Sequence, residues 1–582
     1  MGRLWSPSAR RCARWCDLPV ALLPGIKRQR KGSPVKTSAA PLTPEAGVAR
    51  WLRRHCKERP DQIAVRQHRG HGWEESTFRE LDQLVDRTCH ALVRAGIERG
   101  MRTVLMVEPG LEFLACTFAM LRMGVPPVLI DPGMGISGLA SCLERARPRA
   151  FIGIPRAHRG RALLGWSRST IEHRISVGPG WIPPFTSRLE DWRKRTEAAV
   201  PFSAPVLDSD ETAAILFTSG STGPAKGAIA HHGMIEKQVE ALRDLHGIEP
   251  GEVDLPTFPL FGLFGVVLGM TSTVPVMNFT RPAEADPAGL IELIKRFSVT
   301  SLFASPALLG NLSRYLASHS LQLDGLRRVI SAGAPARHDE IAALMATLGP
   351  GARVQTPYGA TEALPLCCLD QQELLETARD SARGKGICIG RSVEGVEIRI
   401  ARLDCPPSTD HLLANSEAGE IWACGPVVSR GYLNDPEADR FHKYQDQQGN
   451  HWHRTGDLGF RDSHSRIWFL GRLEQMVRTA RGDLHTVAIE RVFDVHPAVQ
   501  RTALVGAGPE GSKLPILCIE TRDDIAIDRN TLIDELRALG ATVEGADRIE
   551  RFCFPGSFPV DIRHNAKINR NLLARFAARS LP

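Results

Sequence analysis

No stretch of this chain is apolar for long enough to cross a bilayer. The nearest approach, FPLFGLFGVVLGM from Phe258 to Met270, is short and interrupted by glycines. Paired CxxC spacing is also missing. The thirteen cysteines are scattered, and neither Cys12 and Cys16 nor the adjacent Cys367 and Cys368 have His or Cys partners at metal-ligand spacing, so zinc is not expected. An odd cysteine count without a secretory apolar segment points to reduced thiols in a cytoplasm. There is no G-x-S-x-G, which excludes the serine-hydrolase elbow, and no repeat of fixed period.

Acidic residues are nearly absent from one region only. Residues 1–40 hold nine Lys or Arg against the single acid Asp17, and this excess of eight equals the whole formal net charge of +8. The remainder is therefore balanced, and an electrostatic footprint for nucleic acid is not expected. Residues 1–44 read as a basic leader, expected to be disordered, although a targeting peptide fits the same composition.

What is present is the balance of a folded protein, with 43% hydrophobic and 24% charged residues in 582, enough for at least two domains. PEAGVARWLRRHCKERPDQIAV reads as a helix and a strand. RTVLMVE, LEFLACTFAMLRMG and PPVLIDPG then give a strand–helix–strand rhythm, which recurs at VTSLFASP and RRVISAGAP. That rhythm implies a parallel or mixed sheet covered by helices, an α/β fold. From about Gly419 the texture changes to short strands and turns. The last hundred residues are compact and mixed, with a helix at DRNTLIDELRALG. A boundary is expected near Gly471, separating residues 45–470 from a smaller domain at 471–582.

LFTSGSTGPAKGAI, Leu216–Ile229, crowds small residues and one lysine into a loop of the kind that wraps phosphate. It is not a Walker loop. Ala225 stands in the place of the second glycine, Gly227 in that of the magnesium-binding hydroxyl, and AAILF and GAIA read as strands on either side. Taken alone it could be a plain Ser/Gly turn. Downstream, however, come SAGAPAR (Ser331–Arg337), PYGATEALP (Pro357–Pro365), HRTGDLGFRD (His453–Asp462), GRLEQMVRT (Gly471–Thr479) and HNAKINR (His564–Arg570), in that order.

This ordered set resembles the adenylate-forming superfamily of acyl-CoA synthetases, nonribosomal-peptide adenylation domains and luciferases, over about residues 45–577. The resemblance implies a large N-terminal domain of mixed sheets layered with helices plus a distorted barrel, and a small mobile α+β C-terminal domain. It implies ATP and Mg²⁺, with attack of a carboxylate on the α-phosphorus. Thr218, Ser219, Gly220, Ser221, Thr222, Gly223 and Lys226 would close over the β- and γ-phosphates. Thr361 would bond an α-phosphate oxygen, and Glu362 would hold Mg²⁺. Gly333, Ala334 and Pro335 would lie against adenine, with Tyr358 on its other face and Gly359 beside it. Asp457, assisted by Arg472, would take the ribose hydroxyls. Lys567 would bridge carboxylate and α-phosphate at the transition state, carried in and out by rotation about Glu474.

Two departures bear on the second half-reaction. CoA ligases of this superfamily carry an aromatic–histidine pair in a PLFH pattern, where this chain has FPLFG with Gly262. Their K-x-x-G-x-x-V-x-P-x-E loop is here RTARGDLHTVAIE, one residue longer between Gly482 and Glu490 and without the proline. With LPTFPLFGLFGVVLGMTS, VLIDPGMG and FPVDIRHNAKINR, the chain is similar to the β-lactone synthetases of bacterial long-chain olefin formation. That branch implies a long-chain 2-alkyl-3-hydroxy acid as substrate, lactone closure by its own hydroxyl, other enzymes of the same pathway as partners, and no integral membrane segment. A medium- or long-chain acyl-CoA synthetase is the alternative. FPLFGLFGVVLGM reads equally as the wall of an acyl channel or as a glycine-spaced buried helix.

Overall fold

A computed structural model describes residues 47–196, 200–218, 225–522, 525–560 and 568–579. All of these lie in the compact unit from Pro41 onward. The leader 1–44 is outside the described residues.

The strand–helix–strand reading at RTVLMVE holds. Thr103–Met106 and Pro127–Ile130 pair in parallel, and the helix Leu111–Met123 crosses between them. Eleven of that helix's thirteen residues are buried, which is why its sequence shows little amphipathic contrast: it is packed on more than one side. Gly124 ends it in the left-handed conformation, at φ 69°. These strands belong to a seven-stranded sheet whose other end is the antiparallel pair Thr212–Thr218 and Lys226–His231. The phosphate-loop motif is thus a strand–loop–strand element at a sheet edge, as its flanks implied.

The second sheet has fourteen strands among the described residues. Its parallel middle runs through Val253–Pro256, Ser301–Ala304, Arg328–Ser331 and Arg353–Ala360. It turns antiparallel at Ala363–Asp370 and continues through Ile387–Ser392, Ile467–Arg472, His451–Arg461, Gly419–Cys424 and Glu397–Ala401. That is the change of texture seen near Gly419. The last strand on that path before the C-terminal elements, Ile467–Arg472, ends in the short turn Leu473–Gln475. Beyond it lie a hairpin, the sheet of Val499–Ala507, Leu514–Thr521 and Arg551–Cys553, and the helices Thr486–Phe493, Arg529–Gly540 and Arg570–Arg579. No helix of the described residues is long and apolar enough to cross a membrane.

FPLFGLFGVVLGM forms the helix Pro259–Val267, and its glycines do not open a cavity. A Cβ at Gly262 would stand 3.2 Å from both Pro256 and Ser272 Oγ, and one at Gly265 would stand 3.2 Å from Asp254 Oδ2. The glycines let the helix lie directly on the sheet. Phe258, Phe261 and Phe264 remain half-buried in a row, and Phe261 stacks on Phe303 with ring centroids 3.5 Å apart.

Asp254 sits beneath this helix, buried and hydrogen-bonded with Ser301. Burial pushes its carboxyl up from 3.8 to about 7, outweighing Ser301 and the Arg328 charge. A raised acid pKa means that the folded state holds a proton which the unfolded chain has released. Stability from this group is therefore fully present below the unfolded pKa and is lost as pH rises through the folded one. Asp254→Asn keeps the shape and an acceptor for Ser301 while removing that loss. Its stabilising effect should grow by roughly 2–3 kcal/mol between pH 5 and pH 8, measured by denaturant unfolding. Equal effects at both pH values would show that Asp254 is not protonated in the fold.

Candidate active site

Strand register sets the two flanks of the LFTSGSTGPAKGAI motif side by side. Thr218 pairs with Lys226 at the turn end of the hairpin. The Thr218 side chain and Ser219, Gly220, Ser221, Thr222 and Gly223 lie outside the described residues. Behind the hairpin, the segment around Tyr432 docks on the second strand: Leu433 N–H donates to the Gly227 carbonyl at 2.8 Å, and Ile229 N–H to that of Gly431 at 3.1 Å. Lys226 consequently extends beside the Tyr432 ring, its Nζ 5.7 Å from the centroid.

Tyr358, Gly359, Thr361 and Glu362 share a second hairpin. Arg353–Ala360 pairs with Ala363–Asp370, Ala360 opposite Ala363, so Thr361 and Glu362 are the two residues of the turn. Gly359 is required by close approach, since a Cβ there would meet the Ala363 carbonyl oxygen at 2.5 Å. Glu362 is buried at the tip. The Tyr432 hydroxyl donates to its Oε1 at 2.9 Å, and Ser429 N–H donates to its backbone carbonyl at 2.7 Å. Lys443 supports the same corner, its Nζ donating to Ser429 O at 2.6 Å and to Ser429 Oγ at 2.8 Å and standing 5.2 Å from the Tyr432 ring centre. Loss of water around the ammonium pushes Lys443 down to about 8, with Glu362 and Asp439 opposing.

Three residues before Thr361, on the strand Arg353–Ala360, Tyr358 reaches Asp457. The phenol donates to Asp457 Oδ2 at 2.5 Å, and Arg472 Nη1 donates to Oδ1 at 2.7 Å and to the Thr455 carbonyl at 3.2 Å. Asp457 and Arg472 face each other across the antiparallel strands His451–Arg461 and Ile467–Arg472. The Asp457 charge holds Arg472 above its ordinary range, and burial with the same charge raises Tyr358. Gly333, Ala334 and Pro335 come just after the C-terminal end of the parallel strand Arg328–Ser331, adjacent to the strand bearing Tyr358. This is where open α/β sheets bind ligands.

Lys567 lies outside the described residues, but the segment after it is tied to its neighbours by hydrogen bonds. Ile568 bridges to Val560, and Asn569 N–H donates to Pro559 O at 2.7 Å. Arg570 Nη2 donates to Glu490 Oε2 at 2.9 Å, Nη1 to Leu504 O at 3.0 Å and Nε to Gln475 Oε1 at 3.0 Å. Glu490 is buried on the helix Thr486–Phe493 and also accepts from Leu504 N–H at 2.6 Å. In the sequence Glu490 is only a landmark of the loop after the hinge; in the fold it anchors the residues just beyond the lysine.

The sequence pointed to Glu362, Tyr358, Asp457 and Arg472, and the fold gathers them. It did not point to Ser429, Tyr432, His442 or Lys443. Those four carry no motif spacing of their own, and only their docking on the two hairpins brings them to the site.

The sequence profile described as "AMP-binding enzyme" matches residues 52–433. The olefin beta-lactone synthetase of Stenotrophomonas maltophilia (strain K279a) is 42% identical over 552 residues, covering 92% of this chain and 98% of that protein. That of Xanthomonas campestris pv. campestris is 41% identical over 555 residues, with the same coverage of 92% and 98%. Among solved structures, ATP-bound MatB from Rhodopseudomonas palustris superposes with a TM-score of 0.74 at 21% identity, covering 91% of this chain and 99% of that one. MenE from Bacillus subtilis in complex with AMP gives 0.71 at 21%, covering 90% and 97%. The two large sheets and the smaller C-terminal one thus form the fold of these adenylate-forming enzymes, and the chain belongs to the AMP-binding enzyme family.

Proposed function

We propose that this protein uses ATP to activate a long-chain 2-alkyl-3-hydroxy acid and then closes it to a β-lactone. The observation that carries the reading is the identity of 42% to an olefin beta-lactone synthetase across 98% of that protein. In the first step a substrate carboxylate oxygen attacks the α-phosphorus, and the bond to the bridging oxygen of pyrophosphate breaks. Tyr358 and the Gly333–Ala334–Pro335 segment receive adenine, Asp457 with Arg472 receives the ribose, and Thr361 bonds the α-phosphate. Lys226 and the loop from Thr218 to Gly223 hold the departing pyrophosphate, and Lys567 bridges the reacting groups. In the second step the 3-hydroxyl oxygen attacks the acyl carbon. The new ring C–O bond replaces the acyl–phosphate C–O bond, and AMP and the hydroxyl proton leave. Tethering spares the hydroxyl the entropy loss of a bimolecular encounter, and the activated mixed anhydride of the acyl-adenylate drives closure of the strained four-membered ring.

Glu362 fits a magnesium ligand. Tyr432 orders Oε1, and Oε2 accepts no protein hydrogen bond among the described residues. Mg²⁺ prefers one or two carboxylates with phosphate and water to an all-protein cage, and when bound it would neutralise phosphate charge. Gly262 agrees with the lactone branch: where PLFH has its histidine, a Cβ here would stand only 3.2 Å from Pro256 and from Ser272 Oγ, tighter than ordinary contact. The half-buried Phe258, Phe261 and Phe264 would face the acyl chain. We place the working division of the chain at the turn Leu473–Gln475, with residues 471–582 rotating about Glu474 between the half-reactions, and the protein in the cytoplasm beside other enzymes of olefin formation.

Incubation with ATP, Mg²⁺ and a 2-alkyl-3-hydroxy fatty acid, without CoA, is expected to release one AMP per β-lactone, read by mass spectrometry. Formation of a thioester only when CoA is added would replace this reading with that of an acyl-CoA synthetase.

A further inference from the structure

Lys226 makes a contact that the two half-reactions leave unused. Its Nζ lies 2.6 Å from His442 Nε2, and His442 Nδ1 lies 3.2 Å from the carbonyl oxygen of Arg454. The carbonyl can only accept and the ammonium can only donate. The ring must therefore carry its proton on Nδ1 and direct the Nε2 lone pair at Lys226. Desolvation of the ring and the Lys226 charge push His442 down to about 4, so the imidazole is neutral and this polarity is fixed at neutral pH.

His442 is itself well held. It is the last residue of the helix Pro436–His442, and Lys443 after it starts the strand that pairs with His451–Arg461, the strand bearing Asp457. Its ring meets Tyr432 at 5.8 Å and His453 at 6.2 Å between centroids. One helix-to-strand junction thus supports both phosphate-facing groups: His442 takes Lys226, while Lys443, through Ser429 and Tyr432, borders Glu362.

We propose that His442 is a positioning residue for Lys226, fixing its ammonium toward the β- and γ-phosphates before the nucleotide arrives. This rests on the reading of Lys226 as the pyrophosphate lysine. A lysine on a flexible four-carbon stem loses rotamer freedom when it engages a ligand, and an acceptor already holding it removes part of that cost. The ammonium has three donors, so two remain for phosphate oxygens while Nε2 keeps the third.

His442→Asn retains a donor near Nδ1 for the Arg454 carbonyl but has nothing at the Nε2 position; His442→Gln places an amide oxygen close to Nε2. Calorimetric titration of the full chain with Mg²⁺ and α,β-methylene-ATP, and separately with AMP, reads the effect without turnover. His442→Asn should weaken the triphosphate analogue by roughly 5–20-fold and leave AMP within about twofold, and His442→Gln should recover most of the loss. In a Lys226→Met background, His442→Asn should add nothing further. Equal weakening of AMP, or the same loss without Lys226, overturns the proposal. If Lys226→Met leaves the analogue's affinity unchanged, the pyrophosphate reading of Lys226 fails; if it weakens the analogue and His442→Asn does not, only the positioning role fails. Thermal melts accompany each variant, and His442→Leu replaces His442→Asn should the latter not fold.

Discussion

Lys567→Ala is expected to slow acyl-adenylate formation by roughly 10²–10³-fold, the usual cost of removing one preorganised donor at a developing charge. As the carboxylate attacks, negative charge gathers on oxygens shared between it and the α-phosphoryl group. A single ammonium between them stabilises that arrangement more than it stabilises the separate reactants, so the loss should fall on kcat and much less on KM for ATP. The melting temperature should hold, because Arg570 and Glu490 anchor the C-terminal helix without Lys567. The sharper expectation concerns the second step. Given a preformed acyl-adenylate, the variant should close the lactone at close to the wild-type rate, since no phosphoryl transfer remains. ATP–pyrophosphate exchange and single-turnover lactone release measure the two steps separately. Exchange within threefold of wild type would remove Lys567 from the adenylation step.

The alternation of strands and helices was legible because each element records its own surroundings. Leu111–Met123 is apolar almost all round since it is buried almost all round, and Asp528 announces the helix Arg529–Gly540 by capping two of its N–H groups. Order along the chain does not reveal which strands become neighbours. Thr212–Thr218 pairs with Pro127–Ile130 across several intervening strands and helices, a choice made by tertiary packing. The site divides in the same way. Thr361 and Glu362 were visible together because one hairpin turn holds both, and Tyr358 precedes them on the same strand. Tyr358 and Asp457 are joined by a side-chain bond between distant strands, and His442 and Lys443 look like ordinary polar residues at a helix end until Lys226 and Ser429 arrive beside them. The glycines of Pro259–Val267 left two readings level for a related reason: a residue without a side chain does not say whether backbone or ligand fills the space.

Replacing Asp457 by alanine should raise KM for ATP by roughly 10²–10⁴-fold, about the worth of two hydrogen bonds to a carboxylate. Asp457 already accepts from Tyr358 at 2.5 Å and from Arg472 at 2.7 Å, and a carboxylate with about four lone-pair sites still has two to offer the ribose hydroxyls. Those same two donors fix its plane, so the diol meets an acceptor that does not need to be ordered on binding. Removing it also leaves Arg472 without its nearest counter-charge. Because that side chain is 38% exposed, water screens the loss, and destabilisation should stay near 1–2 kcal/mol rather than the larger cost of a fully buried orphan charge. Asp457→Asn should do little better toward the ribose: Oδ1 stays with Arg472 and the amide nitrogen turns to the phenol oxygen, which can accept, so the side chain loses both the charge and the second oxygen that would take a hydroxyl. Nucleotide analogues separate a ribose role from a general loss of shape. Wild-type protein should bind 2′,3′-dideoxy-ATP more weakly than ATP by about the factor that Asp457→Ala costs with ATP, and in Asp457→Ala the two nucleotides should bind alike. If the variant still prefers ATP to the dideoxy form by the full wild-type factor, the hydroxyls are read elsewhere and Asp457 serves only to hold Tyr358 and Arg472 in place.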